Sequence, residues 1–426
     1  MNAEPGASSN LSSLVNLTSY ADLAVRVGLN LQPGQRLMII GPLATGGVSL
    51  EAAPFVREIA ASAYRAGARM VEALWGDEPL LMARFRHAPR ESFDEFSRWL
   101  PAALAEHADN GDAILSVYAN DPDQLQGEDL QRITALQHST ARAVRPFRDR
   151  ISRNDTNWTV VAAAAPAWAR KVFPGLDDAT ATARLWEAIA RLCRLDQPDP
   201  VEAWRGHLDA LTMRKDRLNR SRYTALKYTG PGTELTIGLP DSHLWVSGQS
   251  ANRAGVMFAP NVPTEEVFTM PHKDQVDGVV SSTKPLSYGG TLIEEFRLEF
   301  AAGRVVRASA AKGEDVLRDL VATDEGAARL GEIALVAHST PISQSGLLFY
   351  NTLFDENAAS HVALGSAYRF TYSGGEQMTE EVFEAAGGNR SAIHVDFMIG
   401  SGALDVDGVR PDGTAEPLMR AGEWVE

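Results

Sequence analysis

Short apolar runs alternate with helical patterns through the first half of the chain. The apolar runs are each short enough for one buried strand and cover residues 36–41, 69–75, 113–118 and 158–164. Apolar residues recur with helical spacing over residues 14–29, 54–66, 91–107, 125–145, 179–193 and 201–220. Strands that alternate with helices in this way predict βαβ units and a largely parallel sheet.

The pattern changes near residue 220, where short β segments with Gly and Pro turns replace the helical repeats. The segments predicted as strands are residues 223–228, 234–237, 244–246, 267–269, 276–282, 291–300, 304–308, 333–337 and 393–399. One helix is predicted among them, at residues 313–323. We therefore predict an α/β protein of two domains, preceded by a flexible tail at residues 1–12. An N-terminal α/β domain with a largely parallel sheet spans 13–220, and a β-rich α+β C-terminal domain spans 221–426.

Composition narrows the classes of protein to which this chain can belong. Its 426 residues are 44% hydrophobic, enough for sizeable cores in two domains. The net charge of −15, without a Lys/Arg cluster, argues against nucleic acid and anionic membranes as partners. No run of 18 apolar residues and no signal peptide is present, so we expect neither membrane insertion nor export. Cys193 is the only cysteine, which excludes an intrachain disulfide and fits a reducing cytoplasm.

Two common catalytic motifs are missing from the sequence. Residues 41–47 (GPLATGG) follow a predicted strand but lack the Lys-Ser/Thr ending of a phosphate-binding P-loop. The chain has no Gly-x-Ser-x-Gly motif, and Cys193 lies within a helical pattern. The sequence therefore predicts neither nucleotide binding nor a serine or cysteine nucleophile.

Residues 347–368 (LLFYNTLFDENAASHVALGSAY) concentrate polar side chains within an apolar stretch. Glu356 and His361 are five residues apart, a spacing with which a bent segment can direct both side chains at one cation. Tyr368 adds a phenol, whereas Asp355 is expected to be structural. A helix cap with a buried, hydrogen-bonded histidine is the alternative interpretation of this stretch.

The strand predicted at residues 393–399 carries His394 and Asp396. Side chains two residues apart in a strand share a face, and an apolar strand has little reason to bury this pair unless something binds it. A hydrogen-bonded structural pair is the alternative. Glu266 precedes the strand at 267–269 and Glu332 precedes the one at 333–337, where each could instead be a surface or capping carboxylate.

Together these residues match the ligand inventory of a two-metal hydrolase site. Such a site needs about three ligands per metal and a shared carboxylate, with room for a water molecule. The chain offers four carboxylates and two imidazoles, namely Glu266, Glu332, Glu356, Asp396, His361 and His394.

Four segments of the second half resemble the aminopeptidase T/aminopeptidase S metallopeptidases, which form peptidase family M29. They are PNVPTEEVFTMPHKDQVDGVV, TKPLSYGGTLIEEF, LLFYNTLFDENAASHVALG and GGNRSAIHVDFMIGS. The resemblance extends from SYADLAVRVGLNLQPGQ near the N-terminus to LMRAGEW near the C-terminus.

The resemblance implies a role for each candidate residue. Tyr368 would be a catalytic phenol, and Glu332 or Glu356 would serve as a catalytic carboxylate. The implied metal ligands are Glu266, Glu332, Glu356, His361, His394 and Asp396. The chain departs from the family where Ala358-Ala359-Ser360 replaces the usual Ser-Cys before the histidine, which removes a thiol but no implied ligand.

The implied function is that of a metal-dependent aminopeptidase. It would hydrolyse the N-terminal peptide bond of short peptides with a metal-activated water in a two-metal site. The implied cofactors are two divalent ions per chain, zinc or cobalt, with manganese or magnesium chemically possible. The family also implies a homodimer that encloses its active sites, with short peptides that have a free N-terminus as the partners.

Two other functions stay open at this point. His361, His394 and Asp396 form a two-histidine, one-carboxylate set that could hold one iron, and some proteins similar to this family are ring-cleaving dioxygenases acting on hydroxypyridines. A mononuclear oxygenase has no need for Glu266 and Glu332 together, which this chain has. The third possibility is a non-catalytic metal-binding dimer, which would bind metal and hydrolyse no peptide.

Overall fold

The computed structural model describes residues 16–288 and 291–425, so the tail predicted at residues 1–12 lies outside the described residues. The described residues form two compact units. The first comprises the residues up to Leu208 together with Gln249–Pro263 and Leu347–Leu353. The second comprises Asp209–Gly248, Thr264–Gly346 and the residues from Phe354 onward. The division of the chain into domains at residue 220 remains a prediction.

The elements up to residue 221 alternate between strands and helices, as the apolar pattern predicts. In chain order they are α1 (Leu17–Leu23), β1 (Arg36–Ile40), β2 (Val48–Ser49), α2 (Ala53–Arg65), β3 (Met70–Ala73), β4 (Trp75–Gly76), α3 (Glu78–His87), α4 (Trp99–Asp109), β5 (Ala113–Tyr118), α5 (Leu130–Ser152), β6 (Trp158–Ala162), α6 (Pro166–Val172), α7 (Asp178–Leu192) and α8 (Pro200–Ser221). Asp129 and Asp177 accept backbone N–H bonds at the starts of α5 and α7, which fixes where these helices begin. No helix in the described ranges is long and apolar enough to cross a membrane.

The later elements are mostly short strands. They are β7 (Ala225–Gly230), β8 (Thr233–Gly238), β9 (Val246–Ser247), β10 (Ser250–Ala251), β11 (Met257–Phe258), β12 (Val267–Thr269), β13 (Val276–Ser281), β14 (Leu286–Tyr288), β15 (Thr291–Ile293), β16 (Arg297–Ala301), β17 (Arg304–Ser309), α9 (Glu314–Val321), β18 (Leu330–Leu335), α10 (Pro341–Ser345), α11 (Thr352–Asp355), β19 (His361–Gly365), α12 (Glu380–Ala385), β20 (His394–Met398), β21 (Asp405–Val409), β22 (Ala415–Arg420) and β23 (Glu423–Trp424).

The first unit is built on a four-stranded parallel sheet in the order β3-β1-β5-β6. The helices α3 and α6 were not predicted, and α4 begins later than the pattern at residues 91–107 indicates. The helix α5 extends beyond its predicted end, through Pro146 to Ser152, although proline lacks the N–H that an interior position normally donates. Val144 and Phe147, on either side of the proline, are buried, and Phe147 packs with Leu104 of α4. This packing offsets the lost hydrogen bond.

The second unit contains a five-stranded antiparallel sheet in the order β20-β19-β18-β12-β9. It also contains an eight-stranded antiparallel sheet in the order β17-β16-β13-β8-β7-β21-β22-β23. Both sheets contribute to one hydrophobic core, in which Phe296 and Phe397 have ring centroids 5.2 Å apart. The predicted fold class, a parallel α/β part followed by a β-rich part, is therefore confirmed. Because one face of the five-stranded sheet covers this core, its other face is available for polar residues.

The strand predicted at residues 291–300 is wrong as one element. It divides into β15 and β16 around Glu295, which has a positive φ of 49°. The two pieces pair with different neighbours: β15 pairs with β14, whereas β16 pairs with β13 and β17. The turn between them is what allows the chain to change sheets.

Candidate metal centre

The five-stranded sheet separates apolar from polar side chains by alternation. Val362 of β19 and Phe397 of β20 pack into the core. The alternate residues, His361 of β19 and Asp396 of β20, point to the opposite face. Asp396 pairs with Ala363, and the small side chain between the polar groups leaves room above the sheet. The predicted common face of the two β20 residues, His394 and Asp396, follows from the same alternation.

Glu332 lies on this polar face next to a bulge in β18, between the core residues Leu330 and Ile333. Leu330 pairs with Leu364, but Glu332 pairs with Ala363, so the register shifts by one residue between them. In a regular strand Leu330 and Glu332 would share a face, whereas here Leu330 packs in the core and Glu332 faces the polar side. Gly331 makes the bulge possible, because a Cβ on it would lie 2.3 Å from the Gly365 carbonyl oxygen.

Replacing Gly331 with alanine is expected to weaken metal binding about 10- to 100-fold. The new Cβ would also lie 2.5 Å from the Ser366 carbonyl oxygen, which accepts a hydrogen bond from His394, so the variant disturbs two candidate ligands at once. Titration calorimetry with Zn²⁺ measures the effect. The matched control is Gly206→Ala in α8, where nothing lies within 4 Å of the added Cβ and binding should be unchanged. Unaltered affinity in Gly331→Ala would mean that the bulge does not position the ligands.

The polar side chains form two groups that share Glu332. In the first group, His361 Nε2 lies 3.3 Å from Glu266 Oε2 and 3.6 Å from Glu332 Oε1. In the second group, His394 Nε2 lies 3.6 Å from Glu332 Oε2 and 3.4 Å from Asp396 Oδ1. Within each group the ligand atoms lie within 4.8 Å of one another. The two oxygens of Glu332 thus face different imidazoles, as a bridging carboxylate would.

Hydrogen bonds to the backbone orient both histidines. Nδ1 of His361 lies 3.1 Å from the Ala359 carbonyl oxygen, and Nδ1 of His394 lies 2.7 Å from the Ser366 carbonyl oxygen. A carbonyl oxygen can only accept, so each Nδ1 carries the proton and donates it. Each Nε2 is thereby directed at the carboxylates and would be the atom that binds a metal ion once its proton is lost.

The donor set fits divalent metal ions. Oε2 of Glu266 and Oδ1 of Asp396 are buried, and neither accepts a hydrogen bond of good geometry from the described residues. A buried carboxylate oxygen without a donor is costly, and a bound cation would compensate it. Oxygen and nitrogen donors without thiolate suit zinc, cobalt, manganese and magnesium.

Burial and neighbouring charges together raise the pKa values of Glu332, His394 and His361. Burial raises the pKa of Glu332 to about 7, opposed by the nearby His361 and reinforced by the negative charge of Asp396. Burial alone would lower the pKa of His394, but Asp396 and Glu332 raise it to about 9. Burial also lowers the pKa of His361, but the neighbouring carboxylates Glu266 and Glu332 outweigh it and raise this pKa well above its usual value. The metal-free cluster therefore retains protons that a metal ion would displace.

Two further candidates lie beside these groups. Glu356 begins a 3-10 turn and belongs to neither of the groups found among the described residues, but burial and the charges of Glu266 and Asp396 raise its pKa well above the usual value. The ring of Tyr368 lies 4.7 Å from that of His394, centroid to centroid. Partial burial, followed by the nearby carboxylates, raises the pKa of Tyr368, so its phenol stays protonated near neutral pH.

One residue of the site region was not assigned a role from the sequence. Asn357 is fully buried, and its side-chain oxygen accepts a hydrogen bond of 2.7 Å from the backbone N–H of Glu265. It therefore fixes the backbone immediately before Glu266. The Asp-Glu-Asn motif was the only available signal, since the contact joins residues 92 positions apart.

Comparison with known proteins identifies the family. The chain matches the profile of the thermophilic metalloproteases (M29) over residues 14–424. The chain belongs to the M29 family of metalloproteases. Aminopeptidase 2 of Geobacillus stearothermophilus is 48% identical over 409 residues, covering 96% of this chain and 97% of the relative. Aminopeptidase T of Thermus thermophilus is 47% identical over 410 residues, covering 96% and 98% of the two chains.

A solved structure agrees with this assignment to M29. Wild-type AmpT from Thermus thermophilus matches with a TM-score of 0.89 and 46% identity, covering 96% of this chain and 99% of the other. The predicted M29 resemblance is thus confirmed. The predicted enzyme class, a metallo-aminopeptidase and therefore a hydrolase, is confirmed at the level of the family, because these relatives are aminopeptidases.

Proposed function

We propose that this M29 protein removes the N-terminal residue from short peptides, using two divalent metal ions held by the polar face of the five-stranded sheet. The observation that supports this most directly is the position of Glu332 between two imidazoles, with one oxygen 3.6 Å from His361 Nε2 and the other 3.6 Å from His394 Nε2. A carboxylate shared by two ligand groups is typical of two-metal hydrolase sites.

Each metal ion would have its own ligands in addition to Glu332. Glu266 and His361 would hold one ion, and His394 and Asp396 would hold the other. When bound, the two ions supply Lewis acidity and lower the pKa of a water molecule so that it can attack a peptide carbonyl near neutral pH. We propose zinc or cobalt, with manganese or magnesium as possible substitutes.

The chain itself supplies proton donors around the reacting carbonyl. The phenol of Tyr368 keeps its proton because its pKa is raised, so it can donate a hydrogen bond to the oxygen on which negative charge develops. Glu356 also has a raised pKa, which suits a carboxyl group that passes a proton to the leaving amine. Glu332 is the second candidate for this proton transfer. Glu356 as a further ligand remains part of the proposal.

The alternative of a mononuclear iron oxygenase has less support. It requires His361, His394 and Asp396 around one ion, but in the described part of the chain His361 groups with Glu266 and Glu332, apart from the other two. The same arrangement gives Glu266 and Glu332 a function that an oxygenase site would not need. We further propose that the protein is cytoplasmic and acts as a homodimer.

The test is hydrolysis of Leu-Gly-Gly and of its N-acetylated form, followed by chromatography of the products. We expect release of free leucine from the first peptide only, because the acetylated peptide lacks the free amine. Turnover should stop after dialysis against a chelator. Cleavage of both peptides, or of neither by the metal-loaded protein, would contradict the proposal, and absence of cleavage with bound metal would favour a non-catalytic metal-binding protein.

A further inference from the structure

Three aromatic side chains form a continuous row beside the candidate metal centre. Tyr368 contacts His394 and stacks on Phe370, with ring centroids 5.2 Å apart and an interplanar angle of 18°. Phe370 in turn meets Phe268 edge to face at 6.2 Å. We call Phe268, Phe370 and Tyr368 the aromatic row. It starts at one candidate ligand, His394, and ends two residues from another, Glu266.

The aromatic row lies on the same side of the sheet as the ligands. Phe268 of β12 pairs with Ala334 of β18, which pairs with His361 of β19. Directly paired residues of an antiparallel sheet point to the same face, so Phe268 and His361 both project to the polar side. The row therefore lies alongside both ligand groups.

The segment that carries Tyr368 and Phe370 is held by hydrogen bonds, and its charged residue, Arg369, contacts Met378 and Phe383 instead of the row. Arg369 donates a 2.5 Å hydrogen bond to the Met378 carbonyl oxygen, and its guanidinium lies over the ring of Phe383. The Thr371 carbonyl oxygen accepts a 2.7 Å hydrogen bond from the backbone N–H of Leu244. The surface presented by the row is consequently apolar and held in place.

The row is exposed to a degree that is unusual for aromatic residues in packed contact. Tyr368 is 42% exposed and Phe370 is 38% exposed, and Phe268 at the end of the row is half-buried. Ligand sites typically combine exposed aromatic surface with a few converging polar groups. The apolar surface binds one part of the ligand, and the polar groups orient another part.

We infer that the aromatic row is the subsite for the side chain of the peptide's N-terminal residue and that it selects large apolar side chains such as leucine and phenylalanine. The inference rests on the proposed function. If the amine and carbonyl of that residue lie at the two ligand groups, its side chain projects from the carbon between them, and the row is the apolar surface beside both groups. Ring faces bind aliphatic and aromatic groups well and gain little from glycine or alanine.

The test compares kcat/KM for leucyl and alanyl p-nitroanilides in the wild type, Phe370→Ala and Phe370→Leu. We expect Phe370→Ala to lower the leucyl-to-alanyl ratio about tenfold, mostly through KM for the leucyl substrate, in line with the discrimination that apolar pockets achieve. Phe370→Leu should keep most of the ratio, because it restores apolar contact. Val382→Ala, an exposed position outside the row, is the control and should leave the ratio unchanged.

A binding measurement separates this inference from the proposed function. Calorimetric affinities of leucine hydroxamate and glycine hydroxamate for the zinc-loaded protein differ only through the side chain, so their ratio reports on the row even if no substrate is hydrolysed. A ratio that falls in Phe370→Ala supports the row. A ratio unchanged within about twofold, in both Phe370→Ala and a second variant, Phe268→Ala, overturns the inference, whereas lack of hydrolysis by the wild type overturns only the proposed function.

Discussion

Replacing Glu332 with glutamine is expected to lower kcat/KM for peptide hydrolysis by at least about a thousandfold, a loss typical of removing a member of a catalytic unit. Glu332 faces both imidazoles, so the neutral amide would weaken both candidate metal sites at once. Glutamine has the same shape as glutamate, and the fold should therefore persist. Steady-state kinetics measures the loss of turnover, metal analysis measures the loss of bound metal, and near-UV circular dichroism checks that the fold persists.

The matched control for this variant is Glu325→Gln. Glu325 lies in the same unit, its side chain is 82% exposed, and it only approaches Arg304 at 4.0 Å. Loss of one exposed carboxylate should change neither turnover nor metal content. If Glu332→Gln kept near-normal turnover and two bound ions, Glu332 could not be the bridging ligand that we propose.

Removing the metal is expected to stop hydrolysis and to lower the melting temperature, and two equivalents of zinc or cobalt per chain should restore both. Each ion that binds the folded chain at about a thousand times its Kd stabilises it by about 4 kcal/mol. Without them, Glu266, Glu332 and Asp396 lie close together and depend on protons and on the two imidazoles for compensation. Scanning calorimetry before and after chelation, with metal content by mass spectrometry, makes the measurement.

The Glu332→Gln variant also serves as the control for metal removal. Because its sites are already weakened, the chelator should shift its melting temperature less than it shifts that of the wild type. One tightly bound iron per chain, or a melting temperature indifferent to the chelator in the wild type, would be incompatible with a two-metal hydrolase centre.

Features set by local pattern could be predicted from the sequence. The bounds of β5 and β12 follow from short apolar runs, and the shared face of His394 and Asp396 follows from the two-residue period of a strand. The helical pattern at residues 125–145 places the end of this helix before Pro146, whereas in the folded chain α5 continues through the proline to Ser152, with Phe147 buried. The packing of Phe147 against the core extends the helix, and no local sequence pattern shows that packing.

Features that depend on pairing between distant strands could not be predicted. The register shift against β19, which lets Leu330 enter the core together with Ile333 while Glu332 between them faces the polar side, is one such feature. The aromatic row also joins residues far apart in sequence, Phe268 and Phe370, which no spacing rule connects. Metal ligation by the six candidate ligands therefore remains a proposal, which the geometry of the site supports.

The alternation along β19 has a consequence for how this protein can change over time. Val362 and Leu364 hold the hydrophobic core, whereas His361, Ala363 and Gly365 line the polar face. Neighbouring positions in β19 are thus under different constraints: one set stabilises the core, and the other set forms the site. Ala363 can therefore change without loss of the core, whereas Gly365 cannot, because its φ is positive and an added Cβ would lie 2.1 Å from the Ile393 carbonyl oxygen. Insertion or deletion of one residue in β19 would exchange the core set and the polar set and so disrupt both the fold and the site.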